Sequence, residues 1–313
     1  MRYFVAGGAG FIGSHLVDRL IAAGEVVVFD NLTSGKREFL SQHSCNPRLE
    51  FVRGDLLDMD RLEKALAGCD FVFHLAANPD IRVSSIEWPD TDLKQGTIAT
   101  FNVLEAMRRA DVGKIAFSSS SVVYGEPKVF PTPEDYGPLV PISLYGASKL
   151  AAEGLISAYC GTFDYQAWIF RFANIVGKRA THGILVDFYR KILKDQRELE
   201  VLGDGNQTKA YLLVEECVDG MLFGIQNSNQ PVNIFNLGSG DNVQVARIAE
   251  IFLRELGLNE TQIRYTGGKR GWKGDVPLMQ LDVSKINALG WKANSDSEQA
   301  ITVAIRELIK CRP

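Results

Sequence analysis

Short, almost continuously apolar runs punctuate the first half of the chain. They are Tyr3-Phe4-Val5-Ala6, Val26-Val27-Val28-Phe29, Leu49-Glu50-Phe51-Val52, Phe71-Val72-Phe73-His74-Leu75, Lys114-Ile115-Ala116-Phe117 and Ala167-Trp168-Ile169-Phe170. Their length and their Val, Ile and Phe content are those of strands covered on both faces, the pattern of a parallel sheet. Between them the apolar positions switch to helical spacing, and helices are expected over 14–23, 59–67, 97–109 and 144–159. Strand and helix in alternation predict right-handed crossovers and an α/β fold with a doubly wound parallel sheet. After Gly177 the pattern becomes irregular. Turn signals thicken at Gly203-Asp204-Gly205-Asn206, Gly238-Ser239-Gly240-Asp241, Gly267-Gly268 and Gly271-Trp272-Lys273-Gly274. The expected boundary falls there, with a first domain over 1–177 and a smaller α/β domain over 178–313. One later strand, near 232–236, is expected to return to the main sheet.

Composition narrows the class. At 313 residues, 46% hydrophobic and 23% charged, the chain can bury a large core without staples. Lys+Arg number 34 against 38 Asp+Glu, a net charge of −4, so no basic field draws a phosphate backbone and nucleic acid is not an expected partner. The five cysteines are scattered, odd in number and never in a CxxC pair, which fits reduced thiols in a cytoplasm. No apolar run is long enough for a membrane span, and the N-terminus passes directly into a strand and a glycine turn, so neither a membrane nor a signal peptide is expected. The four histidines show no ligand spacing, and no metal is expected.

The first chemistry lies after the first strand, in Gly7-Gly8-Ala9-Gly10-Phe11-Ile12-Gly13. Glycines here let the backbone turn tightly and approach a pyrophosphate, and the following helix start offers free N–H groups and a positive dipole end. The spacing is GxxGxxG. Asp30 ends the second strand about 20 residues on, where a carboxylate accepts from a ribose 2′-hydroxyl and repels a 2′-phosphate. A Rossmann-like NAD site is expected, although Lys36 and Arg37 are cations that could also hold a 2′-phosphate.

The second chemistry is Tyr145-Gly146-Ala147-Ser148-Lys149. Tyr145 and Lys149, four apart, share a helical face. A free tyrosine is a poor base at neutral pH, and an adjacent ammonium is expected to favour its phenolate. The run Ser118-Ser119-Ser120-Ser121 follows the fifth strand, where ligands gather in such sheets, and supplies a hydroxyl to orient a substrate alcohol.

Together with GDLLD (54–58), HLAAN (74–78), FSSSSVVYG (117–125), SLYGASK (143–149) and RFANIVG (171–177), these motifs resemble the extended short-chain dehydrogenase/reductases over nearly the whole chain. Within them the chain most resembles the nucleotide-sugar 4-epimerases. The resemblance implies catalytic Ser120, Tyr145 and Lys149. It implies cofactor contacts from Gly7, Gly10, Phe11, Ile12, Gly13, Asp30, Asn31, Ser34 and Gly35. Asp55 and Leu56 would hold the adenine edge, Ala76 and Ala77 would line the cofactor, and Lys149 would also bind the nicotinamide ribose. For a UDP-sugar substrate it implies Ser120, Tyr145, Asn174, Lys209, Arg270, Asp275 and Met279, with Lys269 and Lys273 as further candidates for the diphosphate. A homodimer paired through helices near 97–110 and 145–160 is also implied.

The chain departs from the family pattern in places. Leu93 stands where a structural Asn is common, Lys209 where Arg is usual, and Glu216 where Asp is usual. The segment from Gly24 to Asp30 looks one residue short. Dehydratases of the family carry an Asp-Glu pair after the catalytic hydroxyl, and decarboxylases a Glu. Here Ser121 and Val122 stand there and can neither donate nor take that proton. Reversible oxidation at a single sugar carbon is what the resemblance then implies, with UDP-glucose and UDP-galactose as the implied pair, and with an N-acetylated or uronic-acid sugar, or another nucleotide-sugar oxidoreductase of the same fold, as the alternative.

Overall fold

The computed structural model describes residues 1–79 and 87–311. All six expected strands form: β1 (Arg2–Ala6), β2 (Glu25–Asp30), β3 (Leu49–Arg53), β4 (Phe71–His74), β5 (Lys114–Ser120) and β6 (Gln166–Phe172). With Val232–Leu237 they build one seven-stranded sheet, in the order Val232–Leu237, β6, β5, β4, β1, β2, β3. β1 runs parallel to both β2 and β4, β2 to β3, and β4 to β5. The strand order reverses between β1 and β4, the crevice where doubly wound sheets bind ligands. β5 continues past the apolar run to Ser120 because Ser118 and Ser119 are buried and hydrogen-bonded, which a hydropathy pattern does not reveal.

The helices follow the expected order. α1 (Phe11–Ala23) starts three residues earlier than predicted, directly on the glycine turn, and ends at Gly24. α2 (Met59–Leu66) is capped by Asp58, which accepts from the Arg61 N–H at 3.2 Å. α3 (Ala99–Arg109) is preceded by a π-helical stretch, Leu93–Ile98, and α4 spans Leu144–Phe163. The wide turn is held where the Thr100 hydroxyl donates to Gly96 O at 2.6 Å. π-turns inside helices concentrate at functional sites. Leu93 does not occupy a structural position here, since it is 53% exposed. The tight position is Gly96, where a Cβ would lie 2.6 Å from Ser148 Oγ on α4.

The chain divides into two compact units. The first comprises Met1–Val123, Leu144–Arg171 and Met221–Phe235. Its core packs Phe4, Phe29, Leu62, Val103, Leu104, Ile115, Ile156 and Ile169 between sheet and helices. The second comprises Tyr124–Ser143, Phe172–Gly220 and the chain from Asn236 onward. Its helices Ile184–Lys194, Val245–Glu255 and Ser297–Cys311 enclose Phe188, Leu199, Val201, Ile248, Phe252 and Ile301. These bounds differ from the expected division at 177/178. Tyr124–Ser143 joins the second unit because Asn236 ties it to the later chain: its side chain binds Tyr124 and Thr132 in the segment and Asp282 beyond it, and its N–H donates to Glu134 Oε1 at 2.8 Å. Tyr124 Oη donates to Asn236 Oδ1 at 2.8 Å, and Asn236 Nδ2 donates to Thr132 O at 3.0 Å and Asp282 O at 2.9 Å. The returning segment is also longer than the expected strand, since it includes the end of the helix from Met221.

Candidate active site

In the first unit the glycine turn leaves β1 at Ala6, and Gly7 N–H donates to Phe29 O at 2.9 Å across to β2. Gly7 has φ +77°, and a Cβ on it would lie 2.7 Å from Ala76 N. At Gly13 a Cβ would lie 2.1 Å from Gly7 O. Only bare backbone fits these two positions. The first helical bond of α1 is Ser14 N–H to Gly10 O at 3.0 Å, and no side chain caps Gly10. The N–H groups of Phe11, Ile12 and Gly13 therefore point out of the helix start, as an anion site requires. Ala76 lies against the turn and Ala77 follows it.

Asp30 is buried at the end of β2, accepting from Ala9 N–H at 3.0 Å and Leu32 N–H at 2.8 Å. Burial pushes its carboxyl above the ordinary carboxylate range, and the two backbone donors act against that rise. A Cβ at Gly35 would lie 2.8 Å from Asp30 Oδ1, so the loop bearing Ser34 and Gly35 folds onto the acid. Asn31 Nδ2 donates to Asp55 Oδ2 at 2.9 Å, joining two expected cofactor contacts, and Leu56 is buried beside them. The cations of Lys36 and Arg37 lie over the rings of Phe39 and Phe51, at 5.9 and 5.2 Å from the ring centres. The bare cradle, open N–H groups and ribose-side acid fit NAD. Asp30→Ala is expected to weaken NAD binding and narrow the gap to NADP. Titration of both cofactors checks this, and equal wild-type affinity for the two would remove the role of Asp30.

The same crevice receives Tyr145 and Lys149 from α4. Lys149 is 3% exposed; its Nζ donates to Ser118 O at 2.6 Å and lies 4.6 Å from the Phe117 ring centre and 5.7 Å from that of Tyr145. Burial pushes its pKa down to about 7, against the pull of the Glu153 and Asp92 carboxylates. Tyr145 is half-buried, and burial, with Asp92 adding to it, holds its phenol above the ordinary value. The expected lowering of the phenol draws on a cationic nicotinamide as well as on the Lys149 ammonium. The Lys149 ammonium is turned to the Ser118 carbonyl, and burial works to remove its proton. The serine run is sorted by partner. Ser118 Oγ donates to His74 O at 3.3 Å, Ser119 Oγ donates to Glu153, and Ser120, half-buried, accepts only a long bond from Val122 N–H at 3.4 Å. Ser118 and Ser119 are thus engaged within the protein, while Ser120, like Ser121, keeps a hydroxyl to offer a ligand. His74 is a core residue, 1% exposed, its Nε2 3.0 Å from Thr100 Oγ1, and burial pushes its pKa down to about 3.

The second unit gathers the residues expected at a nucleotide diphosphate. Lys209 Nζ pairs with Asp275 Oδ1 at 2.8 Å and also donates to Val276 O. Arg270 donates to Asp275 O at 2.5 Å and pairs with Glu126 at 2.8 Å. Asp275 Oδ2 accepts from Gly271 N–H at 3.0 Å. Asn174 is exposed and donates to Ala210 O at 3.2 Å, next to Lys209. Met279 is buried, its N–H donating to Thr208 O at 3.2 Å. Lys269 and Lys273 are exposed. Glu216 is a local anchor, accepting from the Asn294 and Ser295 N–H groups at 2.7 and 3.0 Å. The sequence reading missed Glu126, Asp92 and the Glu153–Arg171 pair. For Glu153 a signal existed, since it repeats the four-residue spacing of Tyr145 and Lys149 on one face.

A glycine cradle, a ribose-side acid and a tyrosine–lysine face on one doubly wound sheet define a dinucleotide-dependent oxidoreductase site. The sequence profile of the NAD dependent epimerase/dehydratase family matches residues 3–238, and the chain belongs to that family. It is an NAD-dependent enzyme of the extended short-chain dehydrogenase/reductase type. Over 95% of both chains it is 36% identical to a protein of Methanocaldococcus jannaschii provisionally named UDP-glucose 4-epimerase. A crystal structure of UDP-galactose 4-epimerase, 40% identical, superposes over 100% of both chains with a TM-score of 0.89. UDP-glucuronic acid decarboxylase 3 of Arabidopsis thaliana is 34% identical over 93% of this chain and 84% of its own. Among the described residues no helix is long and apolar enough to cross a membrane.

Proposed function

We propose that the protein interconverts UDP-glucose and UDP-galactose by transient oxidation at C4. The observation that carries this reading is the face of Tyr145 and Lys149 at the end of β5, with Ser120 left open and no acid beside it. Bound NAD would supply the hydride acceptor and return the hydride. Ser120 would hold the sugar O4 in register by a hydrogen bond. Tyr145 would take the O4 proton as the C4 hydride leaves, and give it back when the 4-keto sugar has presented its other face. Lys149 would hold the nicotinamide ribose and add positive charge beside the phenol. Lys209 and Arg270 would take the diphosphate. Each already has an acidic partner, so substrate binding would exchange partners rather than fill a bare cationic site. Asp275 keeps lone pairs for a ribose hydroxyl beyond its two present bonds. The positions of Ser121 and Val122 disfavour decarboxylation and dehydration, despite the decarboxylase relative.

We also place the enzyme in the cytoplasm as a homodimer. Ile98, Phe101 and Phe163, exposed on the π-helical stretch, α3 and α4, support such pairing, and light scattering should return twice the chain mass. The test of activity is direct. Purified protein with no added cofactor should convert UDP-galactose to UDP-glucose; conversion of other UDP-sugars alone would overturn the substrate assignment.

Met279 would set sugar breadth. It is long, flexible and buried, and as a wall beside the C2 substituent it would admit UDP-galactose well and UDP-N-acetylgalactosamine poorly. Met279→Tyr should sharpen and Met279→Ser should erode a preference of roughly 10–200-fold in kcat/KM. A ratio that stays constant across the three proteins would place Met279 in the core alone.

A further inference from the structure

A buried ion pair lies directly behind the catalytic face of α4. Arg171, at the end of β6, grips Glu153 with both ends of its guanidinium. Nε donates to Oε1 at 3.0 Å and Nη2 to Oε2 at 2.7 Å. The two side chains are 4% and 6% exposed. Ser119 Oγ donates to the same Oε1, so the carboxylate ties three elements together: α4, β6 and the end of β5. Glu153 is one turn beyond Lys149, which is one turn beyond Tyr145, and all three share one face. Ser119 is the neighbour of Ser120, and Ser118 supplies the carbonyl that holds Lys149. Lys149 is thus one helical turn from this pair and Tyr145 two, and Ser120 is one residue from Ser119.

We propose that Glu153, locked by Arg171 and Ser119, is a positioning residue that fixes the register of Tyr145 and Lys149 against Ser120. The inference rests on the catalytic reading of Tyr145 and Lys149 above. A structural pair alone would need no particular address, and a buried ion pair is weak evidence for stability, because the desolvation of both ions offsets their attraction. Among the described residues, few groups face Lys149. They are Ser118 O and the Phe117 ring from β5, the Tyr145 ring and Glu153 from α4, Asp92 from the turn before α3, and His74 from β4. His74 is neutral over the working range, so Glu153 and Asp92 are the two charges that keep the proton on Lys149 as burial works to remove it.

The test compares wild type, Glu153→Gln and the double variant Glu153→Gln/Arg171→Met. The single variant strands a buried guanidinium and should lose thermal stability. The double variant removes both charges and should regain much of it. In the stable double variant kcat for UDP-galactose should fall at least about tenfold as the reacting groups lose their register, and in the single variant, which keeps the guanidinium and loses the carboxylate, the proton on Lys149 should also be lost at lower pH, read by NMR of 13Cε-labelled lysine with Lys149→Met as the assignment control. The alkaline limb of kcat for UDP-galactose should move down with it, with KM little changed. A wild-type kcat in the stable double variant would overturn the inference and leave the pair purely structural. Activity retained by Tyr145→Phe would instead overturn the catalytic reading beneath it, so the two failures are distinguishable.

Discussion

Tyr145→Phe should lose about 10²–10⁴ of kcat and leave the fold and its NAD in place. The change deletes one oxygen. That hydroxyl has no hydrogen-bond partner among the described residues, so its removal leaves no buried group unpaired. The ring keeps its place over Lys149, 5.7 Å from Nζ to the ring centre. The melting temperature should therefore stay within about 2–4 °C, the shift that 1 kcal/mol gives a chain of this size or somewhat smaller. The rate loss has a definite origin. Burial and the Asp92 carboxylate raise the phenol, so the protein by itself keeps Tyr145 protonated at neutral pH. A bound nicotinamide would add positive charge beside the phenol and favour its phenolate. Activity above a tenth of wild type would remove Tyr145 from the mechanism.

Much of the first unit was legible because its strands are buried on both faces and its turn residues have no substitutes. Gly7 must take a positive φ against Ala76, and only glycine does so freely, so the motif could be placed from sequence. The tyrosine–lysine spacing is likewise a property of one helix. What stayed hidden depends on contacts between distant segments. Ser118 and Ser119 read as loop because their polarity masks their burial; their partners, His74 O and Glu153, lie 44 and 34 residues away. Tyr124–Ser143 follows β5 in sequence, yet it belongs to the second unit through Asn236, more than 100 residues on. Lys209 and Arg270 were legible as cations, whereas Asp275 and Glu126 as their present partners were not. The contribution of burial and of Asp92 to the Tyr145 phenol was hidden for the same reason. Spacing places a lysine near a tyrosine, but burial and the buried Asp92 decide the proton.

Gly13→Ala should empty the protein of NAD. Gly13 is the third residue of α1, and an added Cβ would stand 2.1 Å from Gly7 O, 2.8 Å from Gly8 Cα and 2.9 Å from Gly7 C. Every one of these atoms is backbone, so no side chain can swing aside. Either the start of α1 must lift or the Gly7 turn must open. The turn is held by Gly7 N–H to Phe29 O at 2.9 Å and Gly10 N–H to Gly7 O at 3.0 Å, so opening it breaks bonds that align the cradle with β2. Lifting α1 tilts the Phe11 and Ile12 N–H groups off the pyrophosphate. Hydrogen bonds and helix dipole both act within the first turn, so a displacement of this kind removes most of their effect. We expect NAD affinity to fall at least ~100-fold, about 2.7 kcal/mol, with destabilisation of roughly 1–3 kcal/mol from backbone strain. Gly113→Ala is the control. Nothing lies within 4 Å of a Cβ at that position, and its backbone takes no positive φ. Nucleotide released on heat denaturation, quantified per chain, reads the outcome. Full NAD content in Gly13→Ala would show that the turn accommodates a methyl group and that the pyrophosphate is held elsewhere.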